Sequence, residues 1–458
     1  MRKLTCSDVL KATGGTLVCG DEGTEIMGVS TDSRNIRSGD LFIPIKGEKF
    51  DGHDYIEKSL EVCDASLTHI DTGEISGKVI IKVDDTLKAL GALAAYYKNM
   101  HKIPFVAVTG SVGKTSTKDM IASVSSMRYN TLKTSGNFNN EIGLPLTLLR
   151  LEDSHEAGII EMGMSGFGEI SRLSKIVNPD VAVITNIGMS HIEKLGSRQN
   201  ILKAKLEIIE GMNSDGTLIL NGDDHLLYGL KDLLKIRTVY YGMEEGHDFQ
   251  AFNVESHGEK GTYFEIALGR KDFKVHVPVP GIHNVYNALA AIAVGTMLNV
   301  PDDLIVKGIS QFTPGKMRLD IISKNGIKVI NDAYNASPQS MEAAMQVLHD
   351  MGTGARTIAV LGDMLEMGDF AQKAHEEVGK FAVGQEINYL VTFGGESAFI
   401  ASGAAKSGMT RENIYSFTDI GEIKSFLKSF IKEGDIVLVK GSRGMKMERI
   451  VEHLTEGI

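Results

Sequence analysis

Apolar residues along this chain fall in two alternating patterns: short continuous runs, and longer stretches in which they recur at helical spacing. The first pattern marks strands buried on both faces, the second helices packed over them. Over the first 80 or so residues the runs are short and punctuated by Gly and Asp. There Asp40-Leu41-Phe42-Ile43-Pro44-Ile45 and Lys78-Val79-Ile80-Ile81-Lys82-Val83 predict strands of a small α/β unit. A helical run over residues 86–98 leads into Ile103-Pro104-Phe105-Val106-Ala107-Val108, a β-type run that stops at a glycine turn.

Beyond that turn, Gly158-Ile159-Ile160, Val181-Ala182-Val183-Ile184 and Thr217-Leu218-Ile219-Leu220 are spaced widely enough for crossover helices, which predicts a mostly parallel sheet covered on both faces. Residues 238–280 change character, and their β-rich segments, 262–268 and 273–278, predict an antiparallel addition to the same domain. An Ala-rich helix over 285–298 and a linker at 312–316 follow. A second alternating series then has strands at 326–330, 357–361, 389–393 and 435–439, the pattern of a dinucleotide-fold-like α/β domain. The predicted organisation is therefore α/β in three domains: residues 1–84, 85–313 and 314–458.

A length of 458 residues agrees with more than one core, and 42% apolar with 23% charged residues is ordinary for a globular protein. The net charge of -11 offers no general attraction for nucleic acid or an anionic membrane, so an anionic substrate needs locally placed cations. Cys6, Cys19 and Cys63 are odd in number and lack CxxC spacing, which points to a reducing compartment rather than a disulfide frame or zinc ribbon. The amino terminus has no apolar run of signal-peptide length and no stretch approaches a membrane span. These features predict a cytoplasmic protein.

The candidate chemistry begins at Thr109-Gly110-Ser111-Val112-Gly113-Lys114-Thr115, with a helix expected from about Ser116. After a buried strand, consecutive backbone N–H groups and a helix amino end present partial positive charge to phosphates. A lysine there reaches the terminal phosphates and a hydroxyl ligates Mg²⁺. The strict phosphate-loop pattern would need glycine where Val108 stands, so the shorter GxxGKT carries the argument. A nucleotide with Mg²⁺ also needs ligands at neighbouring strand ends, where Glu161 and His191 fall.

Several segments, in order, resemble the Mur ligases of bacterial cell-wall synthesis. They are Ser30-Thr31-Asp32-Ser33-Arg34, Gly39-Asp40-Leu41-Phe42-Ile43-Pro44, Gly47-Glu48-Lys49-Phe50-Asp51-Gly52-His53, the glycine loop, Gly136-Asn137-Phe138-Asn139-Asn140-Glu141, Glu161-Met162-Gly163, and Thr185-Asn186-Ile187 leading to His191. The likeness covers nearly the whole chain. Asn331-Asp332-Ala333-Tyr334-Asn335-Ala336-Ser337-Pro338, Leu361-Gly362-Asp363-Met364-Leu365-Glu366-Met367-Gly368 and Lys440-Gly441-Ser442-Arg443 resemble the branch that adds D-Ala-D-Ala, and the Asp-Asn-Pro-Arg signature of the diaminopimelate-adding branch is absent.

The resemblance implies an ATP-dependent ligase joining D-Ala-D-Ala to UDP-MurNAc-tripeptide through an acyl phosphate, with two Mg²⁺ ions. It implies catalytic roles for Lys114, Glu161, His191, Lys205 and Arg318. Nucleotide contacts would come from residues 109–116 (Thr109, Gly110, Ser111, Val112, Gly113, Lys114, Thr115 and Ser116) with Asn284, Asn287, Arg318, Asp332, Tyr334 and Asn335. Substrate contacts would come from Ser30, Asp32, Ser33, Arg34, Asn139, Asn140 and Arg443. Thr115, Glu161, His191 and a CO₂-carbamylated Lys205 would hold metal. Without the resemblance, Lys205 reads as a solvated helix-face lysine, and Asn284 and Asn287 as helix caps.

A carboxylate is a poor electrophile, which is the reason such a ligase consumes ATP. Other Mur or folylpolyglutamate-type ligases share that chemistry with a different amine. A P-loop GTPase or motor ATPase is a different class, and the Asn-Lys-x-Asp guanine signature is absent. No side chain is marked as the general base, and the third residue of the acceptor peptide, lysine or diaminopimelate, is left open. A monomer with small-molecule substrates and no nucleic-acid partner is expected. Its domains must close on ATP, because Arg318 and Asp332 have to approach a nucleotide seated on the central domain.

Overall fold

In the computed structural model, which describes residues 1–456, the chain forms three α/β units in sequence order. The first carries a five-stranded sheet in the order Thr16–Cys19, Val79–Lys82, Ala65–Thr68, Asp40–Phe42, Gly28–Ser30, parallel except for its first pair. The strand expected over 40–45 stops at Phe42, two residues before Pro44, which has no N–H to give a ladder. The helix Thr86–Asn99 follows, capped by Asp85, whose Oδ1 accepts from Leu87 N (2.8 Å) and Lys88 N (3.0 Å).

The central sheet has nine strands in the order Lys271–Val277, Thr262–Leu268, Phe249–Ser256, Arg237–Gly242, Thr217–Asn221, Val181–Ile184, Phe105–Thr109, Ala157–Glu161, Thr131–Lys133. The last seven run parallel, and the first two are antiparallel additions to the same sheet, as the sequence pattern predicts. Both faces of the parallel part are covered. Phe105 and Ala107 enter one core, Val106 and Val108 the other, and Ala182 and Ile184 are divided from Val181 and Val183 in the same way. Hence the strands read as continuous apolar runs rather than alternating ones.

The helix His283–Met297 is buried almost all round and packs against the helix Lys114–Ser125. The third unit is a six-stranded sheet in the order Asp320–Lys324, Ile327–Asp332, Ile436–Lys440, Thr357–Gly362, Tyr389–Phe393, Ile414–Phe417, parallel but for its first strand. Three short strands at sheet edges, Thr131–Lys133, Asp320–Lys324 and Ile414–Phe417, were not expected, since partly exposed edge segments carry no continuous apolar run.

The chain winds from Phe105–Thr109 toward one edge of the central sheet, then returns to its other side at Val181–Ile184. Such a reversal leaves a crevice at the carboxyl ends of the strands. The third unit faces it.

Candidate active site

The strand Phe105–Thr109 hands over to the helix Lys114–Ser125 through two glycines with positive φ. Gly110 has φ +150°, and a Cβ there would lie 1.9 Å from Thr185 Oγ1. Gly113 caps the helix at φ +83°. Consequently Lys114 and Thr115 already belong to the helix, two residues earlier than expected, and the first-turn N–H groups face the crevice.

Thr185 and Asn186 fasten this loop. Thr185 Oγ1 donates to Val112 O (2.6 Å), Asn186 Nδ2 donates to the same oxygen (2.9 Å), and Val112 N donates to Asn186 Oδ1 (2.9 Å). Thr109 Oγ1 donates to Met162 O at 2.9 Å, tying the loop to the strand that ends at Glu161. Ser111 and Ser116 line the same cleft.

Lys114 Nζ lies over the loop and donates to Gly110 O (2.7 Å) and Ser111 O (3.3 Å). Burial pushes its ammonium below the usual value, Glu161 opposes this, and Arg318 adds to it. An anion on the loop would reverse that depression. Across the crevice Arg318 donates from Nη2 to Thr115 Oγ1 at 3.0 Å, with its guanidinium 4.2 Å from the Tyr334 ring. The third unit therefore stands closed on the loop.

Glu161 is 2% exposed, and Asn139 Nδ2 donates to its Oε1 at 2.8 Å. Its Oε2 has no partner, and neither do Ser111 Oγ and Gln339 Oε1, all buried at the wall of this cleft of about 520 Å³. A buried unpaired carboxylate oxygen is costly unless a cation meets it. With Thr115 and His191 on the same cleft, the donor set of hydroxyl, carboxylate and imidazole fits Mg²⁺.

His191 sits at φ +62° just before the short helix Ile192–Leu195. Its Nδ1 lies 2.5 Å from Glu366 Oε2 of the third unit, at an angle outside hydrogen-bond geometry. His191 in turn draws the Glu366 carboxyl below its usual value.

Lys205 is 1% exposed at the end of the helix Arg198–Leu206, so the solvated-face reading does not hold. Burial, with the Lys114 charge second, pushes its amine well below the ordinary lysine value.

Asn284 and Asn287 are not caps. They lie inside the helix His283–Met297 with buried amides: Asn287 Nδ2 donates to Asn284 Oδ1 (2.9 Å), and Asn287 Oδ1 accepts from Thr117 Oγ1 (2.8 Å). Both reach the cleft wall. Asp332 also lines it. Its Oδ1 accepts from Leu319 N (3.2 Å) and its Oδ2 from Lys440 Nζ, which further donates to Asn335 O (3.0 Å).

The remaining candidates divide. Asn140 lines the cleft, but its Oδ1 is used by Ile142 N (3.2 Å) and Gly143 N (2.8 Å) as a turn cap. Arg443 stays outside the lining, with Nη1 3.1 Å from Glu448 Oε1. Ser30, Asp32, Ser33 and Arg34 also stay outside it. In that turn the Arg34 side chain is 85% exposed and its Nε donates to Asp32 Oδ1 at 2.9 Å, which lowers the Asp32 carboxyl to about 2.

Sequence reasoning assigned no role to Lys440, His283, Tyr286, Gln339 or Glu366. The signal for Lys440 is a lysine closing an apolar strand run, because Asp332 and Lys440 are register partners at the carboxyl ends of paired parallel strands. Tyr286 OH donates to Asp223 Oδ2 (2.9 Å), and the Asp223 oxygens are further engaged by His247 (2.8 Å) and Met243 N (2.7 Å). That cluster therefore holds up the cleft wall. Burial pushes His283 down to about 4.

Three family profiles match the chain: Mur ligase family, catalytic domain, over residues 25–98; Mur ligase middle domain over 108–295; and Mur ligase, glutamate ligase domain, over 317–443. The chain is 42% identical to the UDP-N-acetylmuramoyl-tripeptide--D-alanyl-D-alanine ligase of Bacillus subtilis (strain 168), covering 100% of this chain and 99% of that protein. It is 34% identical to the Escherichia coli (strain K12) protein of the same name, covering 100% and 99%. Among solved structures it is similar to MurF from Acinetobacter baumannii (TM-score 0.91, 33% identity, 99% of each chain). It is also similar to MurF ligase from Thermotoga maritima in complex with ADP (TM-score 0.83, 28% identity, 93% of this chain and 96% of that one).

Proposed function

The chain belongs to the Mur ligase family, and we propose that its cleft activates the peptide carboxylate of UDP-MurNAc-tripeptide with ATP and joins it to the amine of D-Ala-D-Ala. The products are UDP-MurNAc-pentapeptide, ADP and phosphate, a step of peptidoglycan precursor synthesis. Full-length identity to ligases of that name supports the choice of substrates. The observation that carries the chemistry is the meeting of Lys114, Thr115 and Glu161 with Arg318 from the facing unit.

In the first step a carboxylate oxygen attacks the γ-phosphorus, the bond to the β-phosphate oxygen breaks, and ADP leaves with the electron pair. In the second the amine nitrogen attacks the acyl carbon, the C–N bond forms, the C–O bond to phosphate breaks, and one proton is released. Lys114 and Arg318 neutralise charge growing on the transferred phosphoryl group, while the N–H groups of the loop at Gly113 and Lys114 hold it in line.

Thr115, Glu161 and His191 would hold Mg²⁺, which supplies Lewis-acid neutralisation of phosphate charge. The unpartnered Glu161 Oε2 supports this assignment. A second ion is assigned to His191 with a carbamate on Lys205. An amine depressed by burial is the neutral nucleophile that CO₂ needs, giving an N-carboxylate and a proton. Asn284, Asn287, Asp332, Tyr334 and Asn335 take the nucleoside end, and Lys440 holds the Asp332 carboxylate toward the ribose.

Ser30, Asp32, Ser33 and Arg34, with Asn139, Asn140 and Arg443, are assigned to the UDP-sugar-peptide and dipeptide. The five-, nine- and six-stranded sheets each fall within one of the units bounded at 84/85 and 313/314, which supports that division. No helix of the described residues is long and apolar enough to cross a membrane. Soluble substrates of this kind support a reaction in the cytoplasm.

The test is phosphate release from ATP and Mg²⁺ with UDP-MurNAc-tripeptide and D-Ala-D-Ala, omitting each component in turn. Release should require all four. Release that persists without either peptide substrate sinks the ligase reading.

A further inference from the structure

His191 belongs to the central unit, yet the group nearest its Nδ1 comes from the third unit: Glu366 Oε2, at 2.5 Å. Glu366 lies on the loop after the strand Thr357–Gly362, and two hydrogen bonds fasten that loop. Leu365 N donates to Ser442 Oγ (2.9 Å), and Met364 N donates to His375 Nε2 (2.9 Å). Glu366 itself takes φ +61°, a left-handed conformation unusual for glutamate, and its carbonyl accepts from Glu193 N at 3.4 Å, two residues beyond His191. At Gly368 a Cβ would lie 2.9 Å from Glu193 Cγ, so the backbone there is drawn close to the His191 segment. His191 also takes left-handed φ, at +62°. Two backbones in uncommon conformations thus bring one carboxylate to one imidazole across the domain boundary.

We propose that Glu366 is a positioning residue: its carboxylate faces His191 Nδ1, sets the ring so that Nε2 is presented to the cleft, and completes the metal site only when the third unit is docked. This rests on the assignment of His191 as a metal ligand. A histidine ligand is ordinarily oriented by an acceptor at its other ring nitrogen, and losing that acceptor typically costs about 10- to 100-fold in metal affinity. Here the carboxylate at that ring nitrogen, in ion-pair contact at 2.5 Å, sits on a different domain from the ligand. Metal affinity and domain docking are therefore linked, and by reciprocity metal bound at His191 favours the closed arrangement.

The experiment titrates Mn²⁺, followed by its free-ion electron paramagnetic signal, into full-length protein saturated with β,γ-methylene ATP. Wild type is compared with Glu366→Ala, Glu366→Gln, His191→Ala and Glu193→Ala. Glu366→Ala should raise the half-saturating Mn²⁺ concentration about 10-fold or more. Glu366→Gln, which keeps the volume but loses the charge, should also weaken binding and remains informative if the alanine variant folds poorly. Glu193→Ala, beside the same loop but not at the ring, should behave as wild type.

Wild-type Mn²⁺ affinity in both Glu366 variants, with weakened binding in His191→Ala, overturns the proposal while leaving His191 a ligand. Wild-type affinity in His191→Ala overturns the ligand assignment itself. Equal weakening in Glu193→Ala shows that loop docking alone is responsible, and likewise overturns the role of the carboxylate.

Discussion

Lys205 lies in the last turn of a nine-residue helix whose sequence, Arg198-Gln199-Asn200-Ile201-Leu202-Lys203-Ala204-Lys205-Leu206, is polar enough to sit on any surface. Nothing in that pattern distinguishes Lys205 from Lys203. The fold does, by leaving Lys205 1% exposed with Lys114 as the neighbouring charge. A lysine buried beside another cation loses its proton readily, and the neutral amine can take up CO₂. Replacing Lys205 with Ala should lower kcat by about 10²-fold, and millimolar formate or acetate should restore part of it. A variant with unchanged kcat would remove Lys205 from the site, and a loss that small carboxylates never relieve would remove the carbamate. Glu161 was better marked in the sequence, because it ends an apolar strand run. Its unpartnered Oε2 could be seen only once Asn139 was placed against Oε1.

At the scale of elements, the turn from Phe105–Thr109 into Lys114–Ser125 was legible because only glycine meets its demands. Gly110 leaves no room beside Thr185, and Gly113 must cap the helix at positive φ. The helix Thr86–Asn99, at the junction of the first two units, was legible from its run of Leu, Ala and Tyr, and the structure adds its cap. Asp85 satisfies two N–H groups that the first turn cannot. Asp85→Ala should cost about 1 kcal/mol, and Asp85→Asn much less, in the urea transition that reports this helix. Identical midpoints for Asp85→Ala and wild type would show that packing alone holds the helix start. Edge strands such as Thr131–Lys133 escaped notice because their residues are only partly buried, so the apolar run that marks the central strands never forms.

For the whole molecule, the decisive contact is Arg318 Nη2 to Thr115 Oγ1 at 3.0 Å, which spans the boundary between the second and third units. The sequence reading expects Arg318 to approach a nucleotide on the central domain through domain closure, and in this structure its guanidinium reaches Thr115 at the start of the loop helix. A guanidinium stacked at 4.2 Å on Tyr334 is held in one plane and can face a phosphoryl group as the nucleotide enters. Arg318→Ala should lower kcat by about 10² to 10³-fold with little change in thermal stability, and Arg318→Lys should recover only part, since an ammonium lacks the planar fork. Steady-state kinetics check this, and an unchanged kcat in Arg318→Ala would exclude Arg318 from phosphoryl transfer.

The sequence by itself determined the alternation of strands and helices, the glycine loop, and the membership of most cleft residues in a recognisable segment. These are local properties, set by burial on both faces of a sheet and by the few residues a tight turn accepts. Tertiary structure alone decided which partners meet: Lys440 with Asp332, Asn287 with Thr117, Glu366 with His191, Arg318 with Thr115. Each of those pairs joins segments more than 100 residues apart, and two of the four, Glu366 with His191 and Arg318 with Thr115, join different units. No periodicity along the chain encodes such a meeting, because it depends on how whole sheets and helices dock.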